Sequence, residues 1–177
     1  VFSDILEAND LKNKIHNYRI IIFGENHGND KERLYYYDII KQFKPEYLLH
    51  ELLYEDISLT SSVIQDRLNK CDKENLCDSR YNKDIYEFGL KSNIKLVGID
   101  INDIPNAKQL STRDKFKIRE AHMIKIIDRY SGSKICVVVG DTHLRKIETK
   151  ELGSVSPIYE KYKDKALIIR SKHREIK

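Results

Sequence analysis

The sequence predicts an α/β fold in one domain spanning 1-177. A mostly parallel central sheet of four to five strands is flanked by helices, with a helical insert over the crevice at the strand ends. Three observations predict it. Short β-branched apolar runs alternate with helical patterns. Three of those runs end in ionisable residues on their C-terminal side. And 177 residues with 40% hydrophobic content suffice for one sizeable core.

The four main strand candidates are Arg19 to Phe23 (RIIIF), Tyr47 to Leu49 running into His50 and Glu51, Ile94 to Ile99 (IKLVGI), and Lys134 to Val139 (KICVVV). Near-continuous apolar runs of this length suit strands covered on both faces. Ala166 to Ile169 is a fifth, placed at a sheet edge. Lys31 to Phe43 reads as a helix with Leu34, Tyr37, Ile39 and Ile40 on one side, and Pro45 marks its exit. Leu59 to Asn93 reads as two helices broken around Asp72 to Ser79. Thr112 to Tyr130 sets Phe116, Met123, Ile126 and Ile127 near one stripe before a Ser-Gly-Ser stop. Strands alternating with helices imply right-handed crossovers and a parallel sheet.

Charged residues make up 34% of the chain and the net charge is +4, with a mean hydropathy of -0.58. The basic excess is dispersed and gathers only at Arg170, Lys172, His173, Arg174 and Lys177, a solvated end rather than a patch for nucleic acid. Cys71, Cys77 and Cys136 form no zinc pattern, and Cys136 sits inside an apolar strand. No stretch approaches the ~20 apolar residues of a transmembrane segment. The chain begins at Val1 without a leader pattern, which leaves open a soluble protein, a secreted one, or a fragment of a larger protein.

The chemistry gathers at the strand ends, where open α/β sheets bind ligands. The first strand runs into Gly24-Glu25-Asn26-His27-Gly28, the second ends in His50-Glu51, the third in Asp100, and the fourth in Gly140-Asp141-Thr142-His143. Gly24 and Gly140 each precede a histidine by three residues, and glycine tolerates both strained backbone and close neighbours. Imidazole transfers protons near neutrality and binds metals. Glu25 and Glu51 supply carboxylates that orient an imidazole or act as bases. These side chains are expected to share one solvent-open crevice. His50 is expected to point away from Glu51 by strand alternation; Asp100 reads equally as a cap, and Asp141 as a turn residue. Arg119 falls on or beside the buried stripe of its helix, so it needs a carboxylate partner, either Glu51 or Glu25.

Taken together, Gly24-Glu25-Asn26-His27, Glu51, Arg119-Glu120-x-x-Met123 and Gly140-Asp141-Thr142-His143 resemble the erythromycin esterase, ChaN, Tiki and TraB superfamily. The site pattern is most similar to the Ras/Rap-specific endopeptidase domain of bacterial toxins. The resemblance implies a hydrolase or a haem- and iron-handling module. Its toxin branch implies cleavage of small Ras-family GTPases. The catalytic set it implies is Glu25, His27, Glu51 and His143, with Arg119 carried more loosely.

The expected activity is cleavage of an ester or amide bond by activated water, in a protease, esterase or toxin effector domain acting on a protein or a small ester. His27 or Glu51 acts as general base, His143 orients water or protonates the leaving group, Glu25 holds an imidazole, and Arg119 stabilises negative charge. A divalent metal on His27, Glu51 and His143 stays open. The alternative is a non-catalytic module binding haem, iron or a protein partner on the same crevice.

Overall fold

A computed structural model describes residues 8–54, 58–74, 80–145 and 156–170. Its strands are β1 Ile20–Glu25, β2 Tyr47–His50, β3 Ser58–Leu59, β4 Lys95–Gly98, β5 Ile135–Gly140 and β6 Leu167–Arg170. They form one six-stranded sheet in the order β3-β4-β2-β5-β1-β6. The pairs β4–β2, β2–β5, β5–β1 and β1–β6 are parallel. The strand beyond the expected four to five is β3, a two-residue edge piece antiparallel to β4. Two residues carry no periodicity from which a strand could be read.

The helices among the described residues are α1 Ala8–Ile15, α2 Asp30–Phe43, α3 Ser61–Glu74, α4 Arg80–Ser92, α5 Thr112–Tyr130 and α6 Pro157–Tyr162. α1 and α6 were not anticipated. α6 is a short turn started by Ser156, whose side chain accepts from the Tyr159 N–H, and by Pro157 in the first turn. No described helix is long and apolar enough to cross a membrane.

Strand alternation divides the core into two layers. Ile21, Phe23, Leu48, Cys136 and Val138 pack with Tyr36 and Ile40 of α2, Ile64 and Leu68 of α3, and Ile85 and Phe88 of α4. Ile22, Leu49, Val97, Val137 and Val139 pack with Met123, Ile126 and Ile127 of α5 and Ile158 of α6. Because both faces are covered, the central strands are apolar at nearly every position. The insert expected over the crevice is α3 and α4, whose described apolar side chains join the sheet-face layer. Cys136 is a buried free thiol. Cys77, the side chain of Cys71, and Lys172, His173, Arg174 and Lys177 lie outside the described residues.

One helix face differs from the sequence reading. Leu34 is 64% exposed, whereas Arg33, Tyr36, Tyr37, Ile40 and Phe43 are buried. The inward stripe of α2 therefore begins with a charged residue, and Arg33 faces Glu25 at the end of β1.

Register sets the strand ends level. Glu25 pairs with Gly140 and His50 with Val138, and the Glu51 N–H continues the ladder to the Val138 carbonyl at 2.9 Å. The glycines serve close approach rather than backbone strain; Gly140 has φ -57°. A Cβ on Gly24 would lie 2.8 Å from Asp141 Oδ1 and 3.0 Å from Leu144 Cδ1. Asp141 cannot withdraw, since Arg145 Nε (2.5 Å) and Arg170 Nε (3.3 Å) hold its carboxylate. Gly24→Ala is therefore expected to cost about 1–3 kcal/mol of unfolding free energy through overpacking. Urea denaturation measures this, and an unchanged midpoint would show that the Asp141 cluster yields freely.

Candidate active site

The N-terminus of α2 shapes the loop that presents His27. Gly28 adopts φ 95°, a conformation open to glycine, and turns the chain into the helix. Asn29 caps it by accepting from the Glu32 N–H at 3.2 Å, while Glu32 Oε1 accepts from the Asn26 N–H at 2.8 Å. One turn on, the Tyr36 hydroxyl donates to the Gly24 carbonyl at 2.8 Å. Arg33 donates to Glu25 Oε1 through Nε at 2.7 Å and also through Nη2. The end of β1 is thus gripped at Gly24, Glu25 and Asn26 by one helix.

Three of the expected residues converge on Gly140. A carbon at its Cβ position would lie 3.1 Å from His27 Nε2, 3.3 Å from Glu51 Oε2 and 3.8 Å from His143 Cδ2. Glu51 Oε2 also accepts the Gly140 N–H. Glu25 stands behind His27, with Oε2 3.6 Å from His27 Nδ1, a charge contact longer than a hydrogen bond. The four residues therefore form one contiguous group.

Helix α5 supplies the other wall. Ser111 caps it, accepting from the Asp114 N–H, and three of its residues reach the site. Phe116 stacks on the His143 ring with centroids 4.6 Å apart and planes 2° from parallel. Arg119 donates from Nε and Nη2 to Asp100 at 3.0 and 2.7 Å, and from Nη2 to Glu51 Oε1 at 2.7 Å. Glu120, fully buried, sits 2.8 Å from His143 Nδ1. His143 Nε2 lies 3.2 Å from Glu51 Oε1. Ser156 completes the wall by donating to the His143 carbonyl.

The electrostatics follow from this wiring. Burial would raise the Glu25 carboxyl, but His27, His50 and Arg33 outweigh it and hold it at about 2. Burial opposes the charge on Glu51 as well, and His143, the Gly140 N–H and Arg119 bring it to about 2. Burial lowers His143, yet its two carboxylate partners dominate and raise it to about 9, so it is an imidazolium at neutral pH. The Glu25 carboxylate raises His27 against the opposing effect of burial. His50 falls to about 4 through burial and is neutral.

Two expectations change. Of the two motif histidines only His27 is open, its side chain 41% exposed. His143 is buried, because α5 lays Phe116 over it. Arg119 does pair with Glu51 but also with Asp100, so its guanidinium is committed to carboxylates rather than to a developing oxyanion. His50 lies on the Leu48 face, opposite Glu51, and contacts Glu25 at 3.7 Å.

Arg33 and Glu120 were missed as site residues. Both stand in the apolar stripe of their helices, Arg33 with Tyr36, Tyr37 and Ile40, and Glu120 with Phe116, Met123 and Ile127. A charge at such a position implies a buried partner, which is the signal that pointed to Arg119. Ser156 carried no such signal.

Both ring nitrogens of His143 face carboxylates, and both oxygens of Glu51 are engaged. Among the described residues no group of three or more His, Cys, Asp or Glu is arranged for a metal. An axial haem ligand needs a free imidazole nitrogen; both of those on His143 face carboxylates, which leaves Nε2 of the exposed His27 as the candidate.

No protein-family model and no curated protein sequence matches this chain. Solved structures match it. "Bacterial protein toxins" aligns with TM-score 0.54 at 15% identity, over 89% of this chain and 34% of that one. "Crystal structure of bacterial protein toxins" gives 0.53 at 16% over 85% and 34%. The type III effector HopBA1 gives 0.50 at 13% over 90% and 80%. The chain shares its α/β fold with these bacterial toxin and effector structures. It spans 34% of the length of the toxin chains.

Replacing the Arg119 fork with a single ammonium removes geometry that Lys cannot supply to Asp100 and Glu51 together. Arg119→Lys is expected to lose about 1–2 kcal/mol of stability, the lower end reflecting a side chain one-third exposed to water. Chemical denaturation reads the loss, and wild-type stability would return Arg119 to the solvated surface.

Proposed function

We propose that this chain is a hydrolase that cleaves an amide bond in a protein substrate by activated water, the catalytic part of a toxin- or effector-like protease. The observation that carries the reading is the convergence of His27 Nε2, Glu51 and His143 over the side-chain-free end of β5.

Each role follows from its surroundings. Glu25 beside His27 Nδ1 favours the proton there, leaving Nε2 as the acceptor that faces Gly140. His27 is thus the general base, taking a proton from water as the water oxygen bonds to the scissile carbonyl carbon. Glu51, bonded by Arg119, Gly140 and His143 and held at about 2, is too weak a base for that step. It orients the water and offsets the His143 charge. His143 carries a proton at neutral pH on the nitrogen that faces Glu51, and as that contact opens on substrate binding the proton passes to the departing nitrogen while the carbon–nitrogen bond breaks. An amine leaving group requires that proton far more than an alkoxide does, so a standing imidazolium favours amide over ester cleavage. Following the toxin resemblance, small Ras-family GTPases are the first substrates to test. Incubation with a panel of them, beside an unfolded protein, followed by mass spectrometry, should yield a new peptide terminus; none from either would remove the reading.

Activity should be bell-shaped in pH. The base must be deprotonated, so the acid limb lies above pH 6.5, where Glu25 has raised His27. The acid must stay protonated, so activity falls again through about pH 9, the value of His143. An activity rising steadily past pH 10, on the order of the range where ordinary histidines have long been neutral, would exclude His143 as the acid.

Gly140→Ala should separate site from fold. The backbone at Gly140 (φ -57°, ψ 138°) suits alanine, but the added methyl fills the space between His27 and Glu51. Turnover should drop about a hundredfold with a melting temperature within a few degrees of wild type. Full activity would show that the water does not occupy this space.

A further inference from the structure

Resting on the hydrolase reading, we propose that His50 is a positioning residue that aims the Glu25 carboxylate at His27. Its ring is almost wholly buried at the end of β2. Nδ1 accepts a hydrogen bond from the Leu52 N–H at 3.2 Å. A nitrogen that accepts carries no proton, so the neutral ring holds its proton on Nε2. That Nε2–H faces Glu25 Oε2 at 3.7 Å, and neither atom has a hydrogen-bond partner among the described residues.

Glu25 needs a second point of attachment. Arg33 donates through both Nε and Nη2, yet both reach the same oxygen, Oε1. Gripped at one oxygen, a carboxylate can still swing the other about it, unlike one held by two parallel bonds. The free oxygen, Oε2, decides the state of His27. Turned toward Nδ1, it keeps the proton there and leaves Nε2 bare toward Gly140. Turned away, it lets the proton settle on Nε2, and the base is lost. His50 sits 3.7 Å from Oε2 on one side and His27 3.6 Å on the other.

Packing alone gives no reason for an imidazole here. The adjoining layer is built from Ile21, Phe23, Leu48 and Val138. A buried ring with one backbone hydrogen bond and one long polar contact is a costly way to fill apolar space.

Imidazole ¹⁵N shifts of the full chain, followed across pH, report the tautomer of each ring in its neutral form. In the wild type His50 should be the Nε2–H tautomer and His27 the Nδ1–H tautomer. His50→Leu should shift His27 toward Nε2–H, and kcat on the cleaved panel protein should fall about tenfold at unchanged KM. His50→Gln, which keeps a donor near the Nε2 position, should restore both. A wild-type His50 protonated on Nδ1 overturns the proposal even if His50→Leu does not fold. An unchanged His27 tautomer in folded His50→Leu overturns it too. A tautomer shift in a chain that cleaves nothing supports the positioning role and removes the hydrolase reading alone.

Discussion

The end of β5 carries no side chain, and the ionisable side chains of the strand ends are arranged around that fact. β5 lies between β1 and β2, so any side chain at Gly140 would project into the space where residues from both neighbours must meet. With hydrogen there, His27 reaches across from the β1 loop, Glu51 from β2, and His143 curls back from the turn that follows. The exposed Gly140 N–H also becomes a donor, fastening Glu51. The level register of Glu25 with Gly140 makes the meeting possible, and the continuous apolar ladders below maintain it.

Around that space the structure repeats one solution on both faces of the sheet. On the α2 side a glutamate, an arginine and histidine are joined as Glu25, Arg33 and His27. On the α5 side they are Glu51, Arg119 and His143. Each buried carboxylate would be prohibitively costly alone and is tolerated because an arginine from the covering helix meets it. The two halves differ in what surrounds the imidazole. His143 lies between Glu51 and Glu120 under Phe116 and stays charged. His27 has one carboxylate behind it and an exposed side chain in front. The two imidazoles are set apart by burial and carboxylate count, with identical side chains.

Much of this was legible from the residues. The β-branched runs located five strands to within one or two residues, because strands buried on both faces have no polar positions to blur them. The full extent of α5 followed from turn residues and an apolar stripe, whereas most of the break expected around Asp72 to Ser79 lies outside the described residues. The convergence of Glu25, His27, Glu51 and His143 followed from their shared place after strands. What sequence could not supply was depth. Whether His143 faces water depends on where Phe116 of a distant helix comes to rest. The placement of Leu34 outward and Arg33 inward depends on a rotation of α2 that pairs Arg33 with Glu25. The edge strand β3 exists only through its pairing with β4. The role of Ser156 arises from contacts with residues far back in the chain.

The strand order carries a consequence for when such a site can exist. β1 and β2 follow each other in sequence but never pair; the position between them belongs to β5, made some way later. Glu51 and the backbone it grips at Gly140 are 89 positions apart. Joining the first two strands through β5 is a long-range closure, the kind of pairing that folds slowly. Until β5 slides into the sheet, His27 and Glu51 have no common floor. The placement of that one strand gives the two halves of the group their meeting point.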